Sequence, residues 1–147
     1  MKVLNEIKIT ADAKSINESY LRVAVASFAS QLDPTVEEIT DIKTAVSEAV
    51  TNCIVHAYKE KTGKIYITAR LCENQLITVK IRDTGIGIPD ITQALEPMFT
   101  TGGDDRSGLG FSVMECFSDK LRVTSRVGKG TTVTIYKTIR GKSADDL

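Results

Sequence analysis

Two neighbouring stretches, KIYITARLC (64–72) and QLITVKIRD (75–83), alternate apolar and polar residues with a period of two. Ile65, Ile67 and Ala69 fall on one side, Tyr66 and Thr68 on the other. That period describes a strand with one buried face, not a helix. Glu73 and Asn74 join the two stretches, so they pair as an antiparallel hairpin. KLRVTSRV (120–127) and GTTVTIYKTI (130–139) repeat the pattern around Gly128-Lys129-Gly130. VLNEIKI (Val3 to Ile9) alternates in part and reads as an edge strand. An antiparallel sheet with one apolar face must be covered by a second layer, and this narrows the fold more than any other feature of the chain.

The cover comes from two helical stretches. Leu21, Val25, Phe28 and Leu32 make an apolar stripe at helical spacing, with Ser15 as N-cap and Glu18 completing a capping box. Pro34 ends this helix, and Asp33 or Thr35 starts the next. The second helix carries Val36, Ile39, Ile42, Val46, Val50 and Ile54 and runs to near Gly63. The glycine-rich segment 84–110 reads as loop, and GFSVMECF (110–117) as a short helix. The fold class is therefore α+β: a two-layer α/β sandwich with a mixed, mostly antiparallel sheet and helices on one face. The 147 residues suit one domain, taken as 1–140, followed by a flexible tail, 141–147.

Charge and cysteine usage set further bounds. Nineteen basic residues balance nineteen acidic ones, which argues against bulk electrostatic binding to nucleic acid or anionic lipid and leaves room for a local basic patch. Cys53, Cys72 and Cys116 sit among apolar residues without CxxC spacing, so buried free thiols are expected. With no leader pattern and no apolar run near 18 residues, the chain reads as a cytoplasmic protein.

Three stretches carry chemistry. Glu48, Asn52 and His56 recur every fourth residue, which puts them on one narrow helix face. Taken alone, such a trio is as well an ordinary surface stripe. RDTGIGIP (82–89) places Asp83 at a strand end, with Gly85 and Gly87 allowing backbone close to a flat ligand. A carboxylate there accepts from the exocyclic amine of adenine and repels the carbonyl of guanine. A plain Asp-Thr-Gly turn is the competing reading. RSGLGF (106–111) opens a helix with glycines whose N–H groups favour an anion, and Arg106 adds charge. A glycine hinge capped by Ser107 explains the same residues. The chain lacks a P-loop, a third dinucleotide-loop glycine and the signatures of ordinary protein kinases. One histidine and three scattered cysteines show no metal-ligand spacing, so no His/Cys metal cluster is expected.

The ordered set ExxxNxxxH, DxGxG and GLG resembles the Bergerat-type ATP-binding fold shared by DNA gyrase, Hsp90, histidine kinases and MutL. The chain is too short for the first two architectures and shows no helical hairpin with a phospho-accepting histidine. Residues 17–52 resemble both helices of a group of bacterial anti-sigma factors that are also serine kinases, and EPMFTTGGDDRSGLGF (96–111) looks like their nucleotide lid. The similarity runs from about Asn17 to Tyr136 and favours the sporulation branch, which acts on sigma F, over the general-stress branch.

This resemblance implies the following roles. Glu48 would be the general base toward a substrate serine, and Asn52 would ligate Mg2+. Asp83 would bind the adenine of ATP or ADP, with Gly85 and Gly87 lining the base pocket and Thr131 or Thr132 beside it. Thr100, Thr101, Ser107, Gly108, Leu109 and Gly110 would belong to the lid, and Arg106 would reach the last phosphate. Glu18 and Arg22 would contact partners, although a solvated i,i+4 pair explains them equally. The implied partners are an anti-anti-sigma protein as substrate, a sigma factor, and a second copy joined through sheet edges and the first helix. The competing functions are a nucleotide-dependent sigma-binding module without transfer, a general-stress anti-sigma kinase, and a detached histidine-kinase domain.

Overall fold

The computed structural model describes residues 1–59, 61–90 and 110–141. Five strands are present: β1 (Val3–Asp12), β2 (Lys64–Cys72), β3 (Leu76–Arg82), β4 (Lys120–Arg126) and β5 (Gly130–Thr138). They form one sheet in the order β1-β2-β3-β5-β4. Every neighbouring pair is antiparallel, so the expected mixed component is absent among the described residues. β1 is an edge strand, as its partial alternation suggests.

The inward positions Ile65, Ile67, Ile77, Val79, Ile81, Val133 and Ile135 are nearly or fully buried. α1 (Glu18–Ala29) and α2 (Val36–Thr51) cover them with Leu21, Val25, Phe28, Ile42, Val46 and Val50, in one continuous core. Burying a side chain of this kind contributes roughly 1.5–3 kcal/mol, which makes the inward face of the sheet the main source of stability. A short α3 (Phe111–Cys116) adds Phe111 and Met114. Among the described residues the outward face carries no helix, and a shallow groove of about 430 Å3 crosses it. No helix among the described residues is long and apolar enough to cross a membrane.

The helix ends depart from expectation in instructive ways. Of the two candidate starts, Thr35 is the one that caps α2, in a capping box: its hydroxyl accepts from the Glu38 amide at 3.1 Å, and Glu38 accepts from the Thr35 amide at 3.0 Å. Glu38 also accepts from the amides of Arg140 and Gly141, at 2.7 and 3.0 Å, and so fastens the chain after β5 to the start of α2. Ser15 does not cap α1. It opens a 3-10 turn, Ser15–Asn17, and α1 starts at Glu18 with no side-chain cap. Glu18 is instead taken by the Ser47 hydroxyl of α2 and by Arg22, 3.4 Å away. Tertiary contact outcompetes the local box here.

The second helix does not continue to Gly63. It changes at Asn52 into a π-helical turn, Asn52–Ala57, where the Tyr58 amide reaches back five residues to the Cys53 carbonyl at 3.1 Å. Two burial expectations also fail. Cys116 is exposed while Cys53 and Cys72 are buried, because Phe111 and Met114 define the inward face of α3 and Cys116 lies off it. Val36, the first residue of α2, is 82% exposed. Residues 142–147 of the expected tail lie outside the described residues.

Candidate functional site

A cavity of about 510 Å3 opens between the end of α2, the π turn and the ends of β3 and β5. Ile81, Phe111 and Val133 supply apolar wall, while Asn52, Asp83, His56 and Thr131 supply polar groups. A concave apolar site of several hundred Å3 with few polar groups is the usual form of a small-molecule pocket.

Asp83 is 5% exposed at the cavity end. Its Oδ1 accepts from the amides of Gly85 at 2.9 Å and Thr131 at 3.1 Å. Burial pushes the carboxyl above its ordinary range, and the two amides and the Cys53 thiol oppose that push. The amides occupy one oxygen and leave acceptor capacity on the other. Cys53 is held well above its ordinary value, first by burial and then by the Asp83 charge. It therefore stays a thiol and serves Asp83 as a donor, without nucleophilic character.

The loop after Asp83 is fixed from both sides. Gly85 packs against the carbonyl of Ala57 so closely that a Cβ would strike it, and the Ile86 amide donates to that carbonyl at 3.1 Å. Gly85 thus stands behind the cavity and does not line it. Gly87 lines the cavity at φ +78°, with the Arg126 carbonyl where a side chain would go. Ser125 accepts from the Ile88 amide at 2.8 Å and bonds the Thr131 hydroxyl at 2.8 Å, tying the loop to the β4–β5 hairpin.

Asn52 is the first residue of the π turn, and its amide nitrogen is buried without a hydrogen-bond partner among the described residues. Leaving such a group unsatisfied costs roughly 1–3 kcal/mol, so a ligand is the natural partner. The two ends of a side-chain amide are interchangeable by rotation, which brings Oδ1 to the same place. An oxygen there suits a hard cation that keeps most of its waters, so the residues present fit Mg2+. Among the described residues there is no cluster of three or more His, Cys, Asp or Glu around a metal position.

Glu48 lies one turn before Asn52, half-buried, with its carboxyl raised by burial. Gly110, which precedes α3 at φ +70°, sits so close that a Cβ would run into the Glu48 carboxylate. Glu48 therefore stands over the entrance to α3, beside the cavity that Asn52 lines.

The structure thus gathers Asn52, Asp83, Gly87 and Thr131 at one cavity, with His56 among its lining and Glu48 and Gly110 at its side. Thr132 is not brought there: it faces the opposite side of the sheet, in the groove with Thr134. Glu18 joins α1 to α2 through Ser47, and Arg22 pairs with it along α1 at 3.4 Å. Thr100, Thr101, Arg106, Ser107, Gly108 and Leu109 fall outside the described residues. Cys53, Ser125, Phe111 and Tyr58 were not singled out from the sequence as site residues. Tyr58 accepts from the Thr84 amide at 2.8 Å and donates to the Lys64 carbonyl at 2.6 Å, which braces the loop from below. The parity of the alternation already separates Thr131 from Thr132, since Thr131 shares the side of Val133 and Ile135.

A family described as the histidine kinase-like ATPase domain matches residues 9–137. An anti-sigma F factor of Caldanaerobacter subterraneus is 52% identical over 140 residues, covering 95% of this chain and 97% of the relative. One from Geobacillus kaustophilus is 48% identical over 141 residues, covering 95% and 97%. Among solved structures, the RsbU and RsbW domains of a Mycobacterium tuberculosis protein align with a TM-score of 0.66 at 20% identity, covering 92% of this chain and 32% of that one. The chain belongs to the histidine kinase-like ATPase domain family and, within it, to the family of the anti-sigma F factors.

Proposed function

We propose that the chain is an ATP-dependent protein-serine kinase that phosphorylates an anti-anti-sigma protein and binds and inhibits a sigma factor, namely sigma F. The observation that carries this reading is the pairing of a half-buried Glu48 with the unsatisfied amide of Asn52, one helical turn apart beside the cavity. The relatives' printed name, anti-sigma F factor, supports the sigma partner.

The residues divide the work by position. Asp83 accepts from the adenine amine, and its burial excludes the water that would otherwise compete. Gly87 admits the base against backbone. Asn52 turns its amide oxygen toward Mg2+, whose role when bound is to neutralise charge on the phosphate oxygens. Glu48 takes the proton of the incoming serine hydroxyl, and its raised carboxyl makes it a better proton acceptor than an ordinary glutamate. Thr100, Thr101, Ser107, Gly108, Leu109 and Gly110 close over the phosphates, and Arg106 meets the last of them. Arg22 and the end of α1 near Glu18 meet the partner. The exposed Leu4 of β1 and Tyr20 and Val23 of α1 support pairing of two copies along that edge, in the cytoplasm.

The test is incubation with γ-labelled ATP, Mg2+ and an anti-anti-sigma protein. Label on a partner serine is expected. Glu48→Gln should lower the rate by about 10²–10⁴-fold with nucleotide binding retained. Bound nucleotide with no label anywhere would instead indicate a sigma-binding module, and label on histidine a histidine-kinase domain.

A further inference from the structure

The outward face of the sheet, on the far side from the cavity, is strongly basic in a chain of zero net charge. The strand register aligns Lys8, Thr68, Lys80, Thr134 and Arg122 in one row across all five strands, so cations and threonines alternate. Among strand residues of this face only Glu6 and Asp12 are acidic. Each already has a partner: Glu6 pairs with Arg70 at 2.6 Å, and Asp12 with Lys64. Lys80, Arg122 and Arg126 are exposed and have no acidic partner among the described residues.

These three cations flank β5. Lys80 stands on the β3 side, Arg122 and Arg126 on the β4 side, and Thr132 and Thr134 of β5 form a hydroxyl floor between them. Strands lie about 4.8 Å apart, so the two rails are separated by about 9.6 Å, room for one extended chain. Along a strand, same-face residues repeat every ~6.8 Å, and so do same-side residues of an extended ligand. A run of aspartates or glutamates lying along β5 would send alternate carboxylates to opposite rails.

We propose that this trough is a docking site for an extended acidic peptide segment of a partner protein. It is distinct from the cavity and does not depend on the reaction proposed there. The charge complementarity suits carboxylates and phosphates alike, but single-stranded nucleic acid gains much of its hold by stacking bases on aromatic rings. Both tyrosines of this face are occupied. The Arg82 guanidinium lies 4.2 Å from the Tyr66 ring centre, and the Lys120 ammonium lies 5.4 Å from that of Tyr136. An acidic polypeptide needs only the rails and the hydroxyls.

The test uses the full chain and a fluorescein-labelled oligo-glutamate probe, followed by anisotropy at low salt. Binding is expected, weakening as salt rises through the range where the Debye length shortens from about 30 to 10 Å. The double variant Lys80→Gln/Arg122→Gln should lose about tenfold or more in affinity. A control of equal charge change, Lys14→Gln/Lys61→Gln, should bind the probe as the parent does. ATP binding and thermal unfolding should be the same in all three proteins. The proposal is overturned if the probe does not bind, if both double variants weaken it equally, or if an oligo-thymidine of the same length binds more tightly.

Discussion

Gly110 occupies a left-handed φ of +70° with the Glu48 carboxylate standing where its Cβ would be. The glycine thus serves both backbone geometry and the placement of the proposed base. Gly110→Ala should destabilise the protein by about 1–2 kcal/mol from the φ alone. It should also displace Glu48, so that phosphotransfer falls by more than the folded fraction accounts for; urea titration beside single-turnover rates measures both. Burial raises the Glu48 carboxyl, so the acidic limb of the transfer rate should lie above the ordinary glutamate range. In Glu48→Gln that limb should disappear from the residual rate. Asp83 and Gly87 were readable as a candidate site, and both line the cavity, because a carboxylate and glycines at a strand end have a chemical meaning on their own. The service of Cys53 to Asp83 was not, since a cysteine among apolar neighbours looks the same whether or not a carboxylate faces it.

At the scale of elements, Glu38 shows what a cap can do beyond its own helix. Burial works against its ionisation, yet the amides of Thr35, Arg140 and Gly141 and the Thr35 hydroxyl outweigh burial and hold the carboxyl below its ordinary value. The unfolded chain then takes up the proton first as pH falls. The stabilisation is complete above the ordinary glutamate range and is lost as pH drops through the lower folded value. Glu38→Gln should cost about 1–2 kcal/mol at neutral pH and flatten the acid side of the stability curve, as read by urea midpoints. The start of α2 was legible only as a choice between Asp33 and Thr35, and the box that Thr35 forms with Glu38 decides it. The Ser15 box had the same local signature and failed, because Glu18 found Ser47 on another helix. The π turn at Asn52–Ala57 leaves no compositional trace, as it changes hydrogen-bond register without changing which residues are apolar.

For the whole molecule, period-two alternation was sufficient to indicate a sheet covered on one side, while the strand order β1-β2-β3-β5-β4 was not readable from it. Alternation records which face is buried and says nothing of which neighbour supplies the hydrogen bonds. That order is what gathers α2, the loop after β3 and the β4–β5 hairpin around one cavity. Nucleotide with Mg2+ at about 100 times its dissociation constant should therefore add roughly 2.7 kcal/mol and raise the melting temperature by about 5–10 °C. Differential scanning fluorimetry checks this, and Asp83→Ala should abolish the increment.

Asp83 and the Thr131 amide that grips it lie 48 positions apart in the chain, on strands that meet only when β5 inserts between β3 and β4. During synthesis the proposed seat for the base accordingly does not exist until the final hairpin has emerged and zipped into place. On the proposed reading, a nascent chain stalled before that point lacks the Thr131 half of the grip on Asp83, so nucleotide would favour finished protein over half-made copies.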